Sequence, residues 1–350
     1  MPPAIRRRWP DSGVEVETLP AGITRFDDHQ RAFVKVQDGC LLNCTYCIIP
    51  SVRPHLRSRP IDAVAAEVAD LVAHGYREIV LTGVHLGHYG IDTSRGKPKA
   101  MWRRLWHLLE TLDNVPGDFR VRLSSLEAAE ARDDLVRAMA CSPRVVPHLH
   151  LCLQSGSDRI LQAMKRRYSA AGFLRRVERL KRALDAPAFT TDMIVGFPGE
   201  SEADFEETCR VAREVGFAKI HIFSYSPRAG TPAASLGDAV PGAVVRERCQ
   251  RLRELEQESA EAYRRSLQGR RLDVLVEGAD PRRPGWARGT SCRYVPVAFP
   301  GDADALLRQR VSVRVSDSAD GVLEGHPEKG GTRRSEERRV GKECRSRWAP

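Results

Sequence analysis

Three cysteines lie close together early in the chain, in the segment Cys40-Leu-Leu-Asn-Cys44-Thr-Tyr-Cys47. Three thiolates in one tight loop can bind a soft metal centre. Tetrahedral zinc needs four ligands, and because no second cysteine pair is present, only His55 could complete such a site. A [4Fe–4S] cluster accounts better for the spacing, since three cysteines hold three of its irons and leave the fourth open to a chelating amino-carboxylate.

The other cysteines show no comparable local spacing, so they indicate neither a second cluster nor a secreted disulfide scaffold. They are Cys141, Cys152, Cys209, Cys249, Cys292 and Cys344. The opening residues contain arginines but no apolar segment after them, which excludes a secretory signal. No apolar run approaches the roughly 18–20 residues of a membrane-spanning helix. We therefore expect a cytoplasmic, monomeric protein with no membrane association.

The cysteine loop follows the first of six β-rich segments, and helical patterns alternate with these segments. The predicted strands are 33–36, 78–82, 119–124, 148–153, 189–195 and 219–224, and the predicted helices are 61–74, 102–112, 130–140, 157–184, 201–215 and 242–266. This alternation predicts a parallel α/β sheet with crossover helices, either doubly wound or barrel-like. Because no Gly-x-Gly-x-x-Gly signature follows the first strand, an incomplete (β/α)6 TIM-like barrel is favoured, with its site at the carboxyl ends of the strands.

The pattern changes after residue 265, where five short strands are separated by Gly-, Pro- and Asp-containing turns. These predicted strands are 272–277, 285–290, 294–298, 309–315 and 321–325, which together indicate a small β-barrel or sandwich. We expect a linker at 1–30, the α/β barrel at 31–265, the β module at 266–328 and a disordered tail at 329–350. The tail has no core-forming pattern and resembles a translated sequencing adapter, so it is left out of functional reasoning.

The net charge of +10 favours polyanionic partners, nucleic acid above all, although part of it comes from the tail. Basic residues of the β module surround two aromatic residues that can stack on bases or belong to the core of the module. The RNA-binding candidates are Arg282, Arg283, Trp286, Arg288, Arg293 and Tyr294. Segment 165–168 and the basic helix after it are a second candidate phosphate-facing surface or a plain solvated face.

Polar residues at the ends of the predicted strands are candidates for binding a cofactor. Ser124 and Glu127 follow the third strand, Gln154 and Ser155 end the fourth, and Asp192 lies within the apolar fifth. Each has a structural alternative, because serines cap turns and a carboxylate in an apolar strand needs a partner of its own. His85 and His88 follow the second strand and are interpreted as polar rim residues.

Several motifs together resemble the methylthiotransferase branch of the radical S-adenosylmethionine (SAM) enzymes over residues 30–327. They are the cysteine loop with Tyr46 at its aromatic position, and the segments 31–40, 81–90, 122–127, 150–158 and 192–200. The β module looks like the TRAM domain of that family, which binds tRNA. Within the branch, the sequence is most similar to enzymes that methylthiolate threonylcarbamoyl-adenosine beside the tRNA anticodon.

The resemblance implies one [4Fe–4S] cluster on Cys40, Cys44 and Cys47, with SAM bound at the open iron and contacted by residues such as Tyr46. It also implies a 5′-deoxyadenosyl radical that abstracts hydrogen from carbon 2 of adenine, a second [4Fe–4S] cluster that donates sulfur, and an electron donor such as flavodoxin or ferredoxin. The expected partner is the anticodon stem-loop of tRNA. Two alternatives of the same class are enzymes acting on isopentenyl-adenosine in tRNA or on an aspartate of a ribosomal protein. An alternative of another class is a non-catalytic RNA-binding protein with a structural metal.

Two departures from the family pattern stand out. Arg53-Pro54 replaces the Arg-Gly of the family, and proline removes an N–H that glycine would offer. The family also has an N-terminal domain with three further cysteines, whereas the residues before the first strand contain none. We therefore expect a truncated form that cleaves SAM but does not insert sulfur by itself.

Overall fold

A computed structural model of the chain describes residues 29–328. The expected linker, apart from its last two residues, and the expected tail lie outside the described residues. The strands of the first unit are β1 (Ala32–Asp38), β2 (Arg57–Ser58), β3 (Glu78–Gly83), β4 (Arg120–Leu123), β5 (Ser125–Leu126), β6 (His148–Leu151), β7 (Ala188–Val195) and β8 (Lys219–Ser224). Its helices are α1 (Ile49–Val52), α2 (Ile61–Ala73), α3 (Ile91–Ser94), α4 (Leu105–Leu112), α5 (Asp133–Cys141), α6 (Asp158–Ala163), α7 (Ala170–Ala183), α8 (Glu202–Val215) and α9 (Gly242–Ser266).

The parallel strands form an incomplete barrel that begins with β1 and ends with β8. β1, β3 and β4 pair in parallel, and so do β5, β6, β7 and β8. β4 and β5 are two halves of the third predicted strand, separated at Ser124, and a parallel bridge from Val121 to Val145 joins the two sheets. The predicted α/β barrel is therefore confirmed, with the short antiparallel β2 on the outer edge of β1.

The helix predicted over 157–184 is wrong, because the chain forms two helices there. Lys165 has a φ of 55°, a left-handed conformation that ends the first helix. Ser169 then caps α7 by accepting a hydrogen bond from the backbone N–H of Gly172 at 3.1 Å. The amphipathic pattern continues across this turn, which is why periodicity alone did not reveal it.

Alternate residues of the barrel strands face the helices and the barrel interior. In β6, Leu149 and Leu151 belong to the hydrophobic core shared with the helices. The intervening His148 and His150 both lie within hydrogen-bond distance of the Thr190 hydroxyl, at 3.2 and 3.0 Å. The barrel interior is therefore lined by polar side chains at this depth.

The second unit is a closed five-stranded barrel that follows the long helix α9. Its elements are β9 (Arg271–Ala279), β10 (Trp286–Ser291), β11 (Pro296–Pro300), the short helix α10 (Ala303–Leu306), β12 (Arg310–Ala319) and β13 (Val322–Pro327). The strand order is β10-β11-β13-β12-β9, with β11 and β13 parallel. The five predicted strands all form, and closure leaves no free sheet edge.

Arginines at the amino-terminal ends of the α/β strands join the two units. Arg120 donates to Glu78 at 2.5 Å, to the carbonyl of Asp273 at 2.6 Å and to the carbonyl of Thr290 at 2.8 Å. Arg122 donates to Glu78 at 2.7 Å and to the carbonyl of Ser291 at 3.0 Å. The small barrel therefore packs against the end of the α/β barrel opposite the cysteine loop.

Candidate functional site

The cysteine loop begins where β1 ends and is held by backbone contacts. Gly39 has a φ of 77°, and a Cβ on it would lie 2.1 Å from the carbonyl oxygen of His55, so only glycine fits there. The backbone N–H of Thr45 donates to the carbonyl of Met164 at 3.1 Å, and the carbonyl of Thr45 accepts from the N–H of Ala233 at 2.8 Å. These bonds fix the loop to the turn after α6 and to the segment after β8.

The three thiols are free and have the chemistry that a cluster requires. Cys44 is buried, while Cys40 and Cys47 are half-buried, and burial raises the pKa of the Cys40 and Cys47 thiols. Ligation would therefore release protons.

Arg166 is the residue at this site that sequence reasoning missed. Its Nη1 lies 3.2 Å from the Sγ of Cys44 and 3.5 Å from the Oη of Tyr46, and its Nη2 lies 3.3 Å from Glu127 Oε1. The expectation that the whole segment 165–168 faces phosphate is thus wrong for Arg166, which is buried against the cysteine loop. No sequence signal pairs it with Cys44, because 122 positions separate them.

Glu127 connects Arg166 to two stacked histidines. Glu127 Oε2 lies 3.3 Å from His85 Nε2, and the rings of His85 and His88 stack with centroids 3.7 Å apart. Burial alone would raise the pKa of Glu127, but the His85 hydrogen bond and the Arg166 charge lower it, so Glu127 is a carboxylate. Burial and the neighbouring His85 lower the pKa of His88 to about 3, so His88 is neutral.

Several buried polar atoms around the barrel mouth have no hydrogen-bond partner within the described part of the chain. They are Ser124 Oγ, His85 Nδ1 and His88 Nδ1. Unsatisfied buried groups are costly, so such atoms at the mouth of a cleft suit a polar ligand. Together with the three free thiols, they fit a cluster and a bound amino-carboxylate cofactor.

The remaining predicted cofactor residues occupy different positions. Tyr46 packs against a small apolar cluster that includes Met164 and Phe197. Gln154 has a φ of 65° and bridges to Met193 of β7, which places it at the carboxyl end of the sheet. Ser155 is fully buried, and its hydroxyl lies 3.2 Å from that of Thr208 in α8. The structure therefore favours the alternative that Ser155 serves the strand-to-helix turn.

Asp192 lies deeper, inside the barrel, where it faces two histidines. Its Oδ2 is 3.3 Å from His150 Nε2, and it pairs in register with His221 of the edge strand β8. Burial opposes protonation of His150, but the nearby Asp192 and Cys152 outweigh burial and raise the pKa of His150 to about 10. Ligand atoms of the three residues all lie within 4.8 Å, so they also have the spacing of a metal site.

The RNA-binding candidates of the small barrel divide into two groups. Arg282 is exposed and paired with Asp320, Arg283 stacks over Trp286 with its Cζ 4.6 Å from the ring centroid, and Arg288 is half-buried beside Trp286 on β10. Arg293 instead is buried at the junction between the two units, where it donates to Ala186 and Asp185. The prediction that Arg293 binds RNA is therefore wrong, because no part of its guanidinium is left for phosphate.

Tyr294 also belongs to the junction. Its ring lies 4.7 Å from that of His148, and the Cζ of Arg122 lies 5.0 Å from its centroid. The left-handed φ of 62° at Tyr294 turns the side chain toward the α/β barrel. Tyr294 therefore contacts the junction, but 42% of its surface remains exposed, and its base-stacking role stays a prediction.

Sequence comparison gives two family matches, the Radical SAM superfamily over residues 34–212 and the TRAM domain over residues 265–327. The chain is 42% identical over 300 residues to the threonylcarbamoyladenosine tRNA methylthiotransferase MtaB of Thermotoga maritima, covering 85% of this chain and 66% of the relative. It is 39% identical to MtaB of Bacillus subtilis, over 84% of this chain and 64% of the relative. It is also 36% identical to the tRNA-2-methylthio-N(6)-dimethylallyladenosine synthase of Carboxydothermus hydrogenoformans, over 91% of this chain and 70% of the relative. The chain thus spans about two thirds of the length of these relatives.

No helix in the described residues is long and apolar enough to cross a membrane.

Proposed function

Since the chain belongs to the radical SAM methylthiotransferases, we propose that it takes part in adding a methylthio group to carbon 2 of an N6-modified adenosine beside the anticodon of tRNA. The observation that carries this proposal is the loop of three free thiols at the carboxyl end of a parallel barrel, with Arg166 and Glu127 behind it. We propose residues 31–265 as the radical SAM unit and 266–328 as the TRAM unit.

In this proposal Cys40, Cys44 and Cys47 hold one [4Fe–4S] cluster whose open iron takes SAM. When bound and reduced, the pair supplies the 5′-deoxyadenosyl radical that abstracts hydrogen from the adenine. The described residues contain one cysteine loop of this kind, so they account for this step. Sulfur transfer would need a second cluster, and reduction a donor such as flavodoxin or ferredoxin.

The protein's own groups orient the cofactor and exclude water. Arg166 brings a fixed positive charge between Cys44 and Tyr46, and Glu127 keeps the guanidinium in place. Ser124 and Gln154 present polar groups at the mouth, while Tyr46 provides an aromatic wall. Cytoplasmic location and a monomeric state are part of the same proposal.

The polar barrel interior favours a polar substituent on the adenosine. His150, Asp192 and His221 lie together below the mouth, and Thr190 binds His150 at 3.0 Å. A threonylcarbamoyl group carries a hydroxyl and a carboxylate that can pair with such residues, whereas a dimethylallyl group would leave them unpaired. We therefore propose threonylcarbamoyl-adenosine as the substrate and dimethylallyl-adenosine as the second candidate.

Deuterium transfer tests this proposal without requiring sulfur insertion. The holoprotein, with reductant and SAM, is incubated with stem-loop RNA deuterated at carbon 2 of a threonylcarbamoyl- or dimethylallyl-adenosine. We expect deuterium in 5′-deoxyadenosine from the first RNA and less from the second. Bound RNA with no deuterium transfer from either would contradict the proposal, and greater transfer from the second would reverse the choice of substrate.

A further inference from the structure

A cleft of about 500 Å³ opens on the outside of the barrel beside the cysteine loop, and four arginines line it. They are Arg167, Arg175, Arg176 and Arg179, called here the arginine cleft. The site described above uses none of them. The sequence singled out this basic region but did not separate a phosphate-binding surface from a solvated helix face.

The arginine cleft has far more positive charge than its neighbours neutralise. Arg167 and Arg175 are exposed, and neither has a hydrogen bond or ion pair within residues 29–328. Arg176 donates one bond to the carbonyl of Ala131 at 3.4 Å, and it shares the negative charge of Asp133 with Arg179. Arg179 pairs with Asp133. Like charges gathered in this way repel one another unless an anion binds among them.

The amino terminus of α7 is already occupied by protein groups. Ser169 caps the helix at the cleft, and the Asp158 carboxylate accepts from the backbone N–H of Ala170 at 2.6 Å. The positive potential of the cleft therefore comes from its arginine side chains and not from the helix backbone.

The cleft adjoins the catalytic site along the chain as well as in space. Arg167 directly follows Arg166, which contacts Cys44, and Ala128 of the cleft lining directly follows Glu127. An anionic chain lying in the cleft would thus end at the barrel mouth. Arg175 and Arg179 are one helical turn apart, about 6 Å, so the cleft presents charge along a line rather than at one point.

We infer that the arginine cleft binds the phosphodiester backbone of RNA next to the adenosine that enters the barrel, a role that rests on the proposed function. Guanidinium groups form charge-assisted, bidentate bonds with phosphate. These contacts would hold the strand in register while the base leaves the stack and enters the mouth. The cleft therefore sets which nucleotide reaches the cofactor.

A double variant tests this inference. Arg167→Ala/Arg175→Ala removes the two unpartnered guanidinium groups, and we expect affinity for an anticodon stem-loop RNA to fall roughly 10-fold per lost contact. The slope of log affinity against log salt should decrease by roughly 1.5 to 2. As a matched control, Arg182→Ala/Arg213→Ala removes two exposed charges from the last turns of α7 and α8, at the far end of the barrel, and should change affinity little.

Neutral methylphosphonate linkages identify the phosphates. One linkage at a time is replaced on either side of the target adenosine, and binding is measured for wild type and the Arg167→Ala/Arg175→Ala variant. We expect a linkage whose replacement weakens wild type but not the variant. Equal losses in both proteins at every linkage, or an equal loss of affinity in the control variant, would overturn the inference.

The same proteins separate this inference from the proposed function. Formation of 5′-deoxyadenosine without RNA should be unchanged in the double variant, because the cysteine loop is intact. If the double variant keeps full RNA affinity while the wild type transfers deuterium, the inference about the arginine cleft is wrong and the proposed function remains supported. A wild-type protein that binds no RNA would overturn both.

Discussion

The cysteine loop is the part of the site that local sequence reveals, because its three cysteines lie within eight residues of one another. Spacing predicted a [4Fe–4S] cluster, which the match to the Radical SAM family also implies, and the three cysteines after β1 are free thiols. Arg166 was not predictable, since its contact with Cys44 depends on how the turn after α6 folds back onto the loop. Residue chemistry can be read from a motif, but partners from distant strands cannot.

Replacing Cys40, Cys44 or Cys47 by Ala should each abolish cluster binding. Every thiolate holds a different iron, so no neighbour can take its place. Iron and sulfide per chain, measured after anaerobic reconstitution, should fall to near zero in all three variants. Cys209→Ala is the control, because Cys209 is buried in the core on α8, and its iron content should equal that of wild type.

Arg166→Gln should impair use of SAM while the cluster remains. The substitution removes the charge between Cys44 and Tyr46 and leaves Glu127 without its cation, so we expect a 10- to 100-fold rise in the KM for SAM, as is typical on the order of magnitude for a lost charged hydrogen bond. Kinetics of 5′-deoxyadenosine formation without RNA measure this. Arg167→Gln, one residue further along, should behave as wild type. An unchanged KM with normal iron in Arg166→Gln would show that Arg166 has no part in the site.

The elements were largely predictable because the barrel strands are apolar on one face and separated by regular helices. The split between α6 and α7 was missed, as were the short β2 and α10. The junction between the two units was also hidden, since Arg293 is a residue type that binds RNA and its burial depends on packing. Glu78, Arg120 and Arg122 appear in the sequence as ordinary strand charges, yet they form the buried contact that docks the small barrel.

Glu78→Gln should destabilise the protein strongly. Glu78 is fully buried between Arg120 and Arg122, and removing one partner from such a group typically costs about 3–5 kcal/mol. Glu214→Gln, which removes an exposed partner of Arg210, should cost about 0–1 kcal/mol. Denaturant unfolding at neutral pH measures both. Similar costs for the two variants would contradict a junction that depends on the buried carboxylate.

The stability conferred by Glu78 should also depend on pH. Burial would raise the pKa of Glu78, but the charges of Arg120, Arg122 and Arg31 outweigh it and lower the folded-state pKa below the unfolded value. The carboxylate therefore stabilises the fold above the unfolded pKa of about 4.3, and this contribution is lost as pH falls toward the folded pKa. The difference in melting temperature between wild type and Glu78→Gln should shrink on acidification. A constant difference from neutral to acidic pH would contradict this linkage.

For the whole molecule, the cysteine loop and the proposed RNA-binding surface of the small barrel lie at opposite ends of the α/β barrel. The cysteine loop and the arginine cleft are at the carboxyl end of the barrel strands, and the small barrel is at the amino end, roughly 20–26 Å away by the length of a six- to eight-residue strand. We propose that the basic surface formed by exposed Arg282 and half-buried Arg283 and Arg288 contacts RNA far from the target base. Deleting the small barrel would expose the Glu78 network, so point substitutions test this surface better.

Arg282→Ala/Arg283→Ala/Arg288→Ala should weaken binding of full-length tRNA and lower its salt slope by roughly 2 to 3. When this triple variant is combined with Arg167→Ala/Arg175→Ala, the losses of binding free energy should add, because the two surfaces share no partner. Filter binding across a salt series measures each protein, and the Arg182→Ala/Arg213→Ala variant serves again as the control. Losses that fail to add would indicate one continuous RNA site instead of two.

The central claim is that these residues assemble one cluster with an open iron and use it to cleave SAM. The most direct measurement is the amount of 5′-deoxyadenosine formed when the reconstituted, reduced protein is incubated with SAM alone. We predict formation by wild type and none by Cys44→Ala, with the same reductant and protein concentration. A wild-type protein that carries its full iron and sulfide yet forms no 5′-deoxyadenosine would contradict the account, as would equal formation by Cys44→Ala.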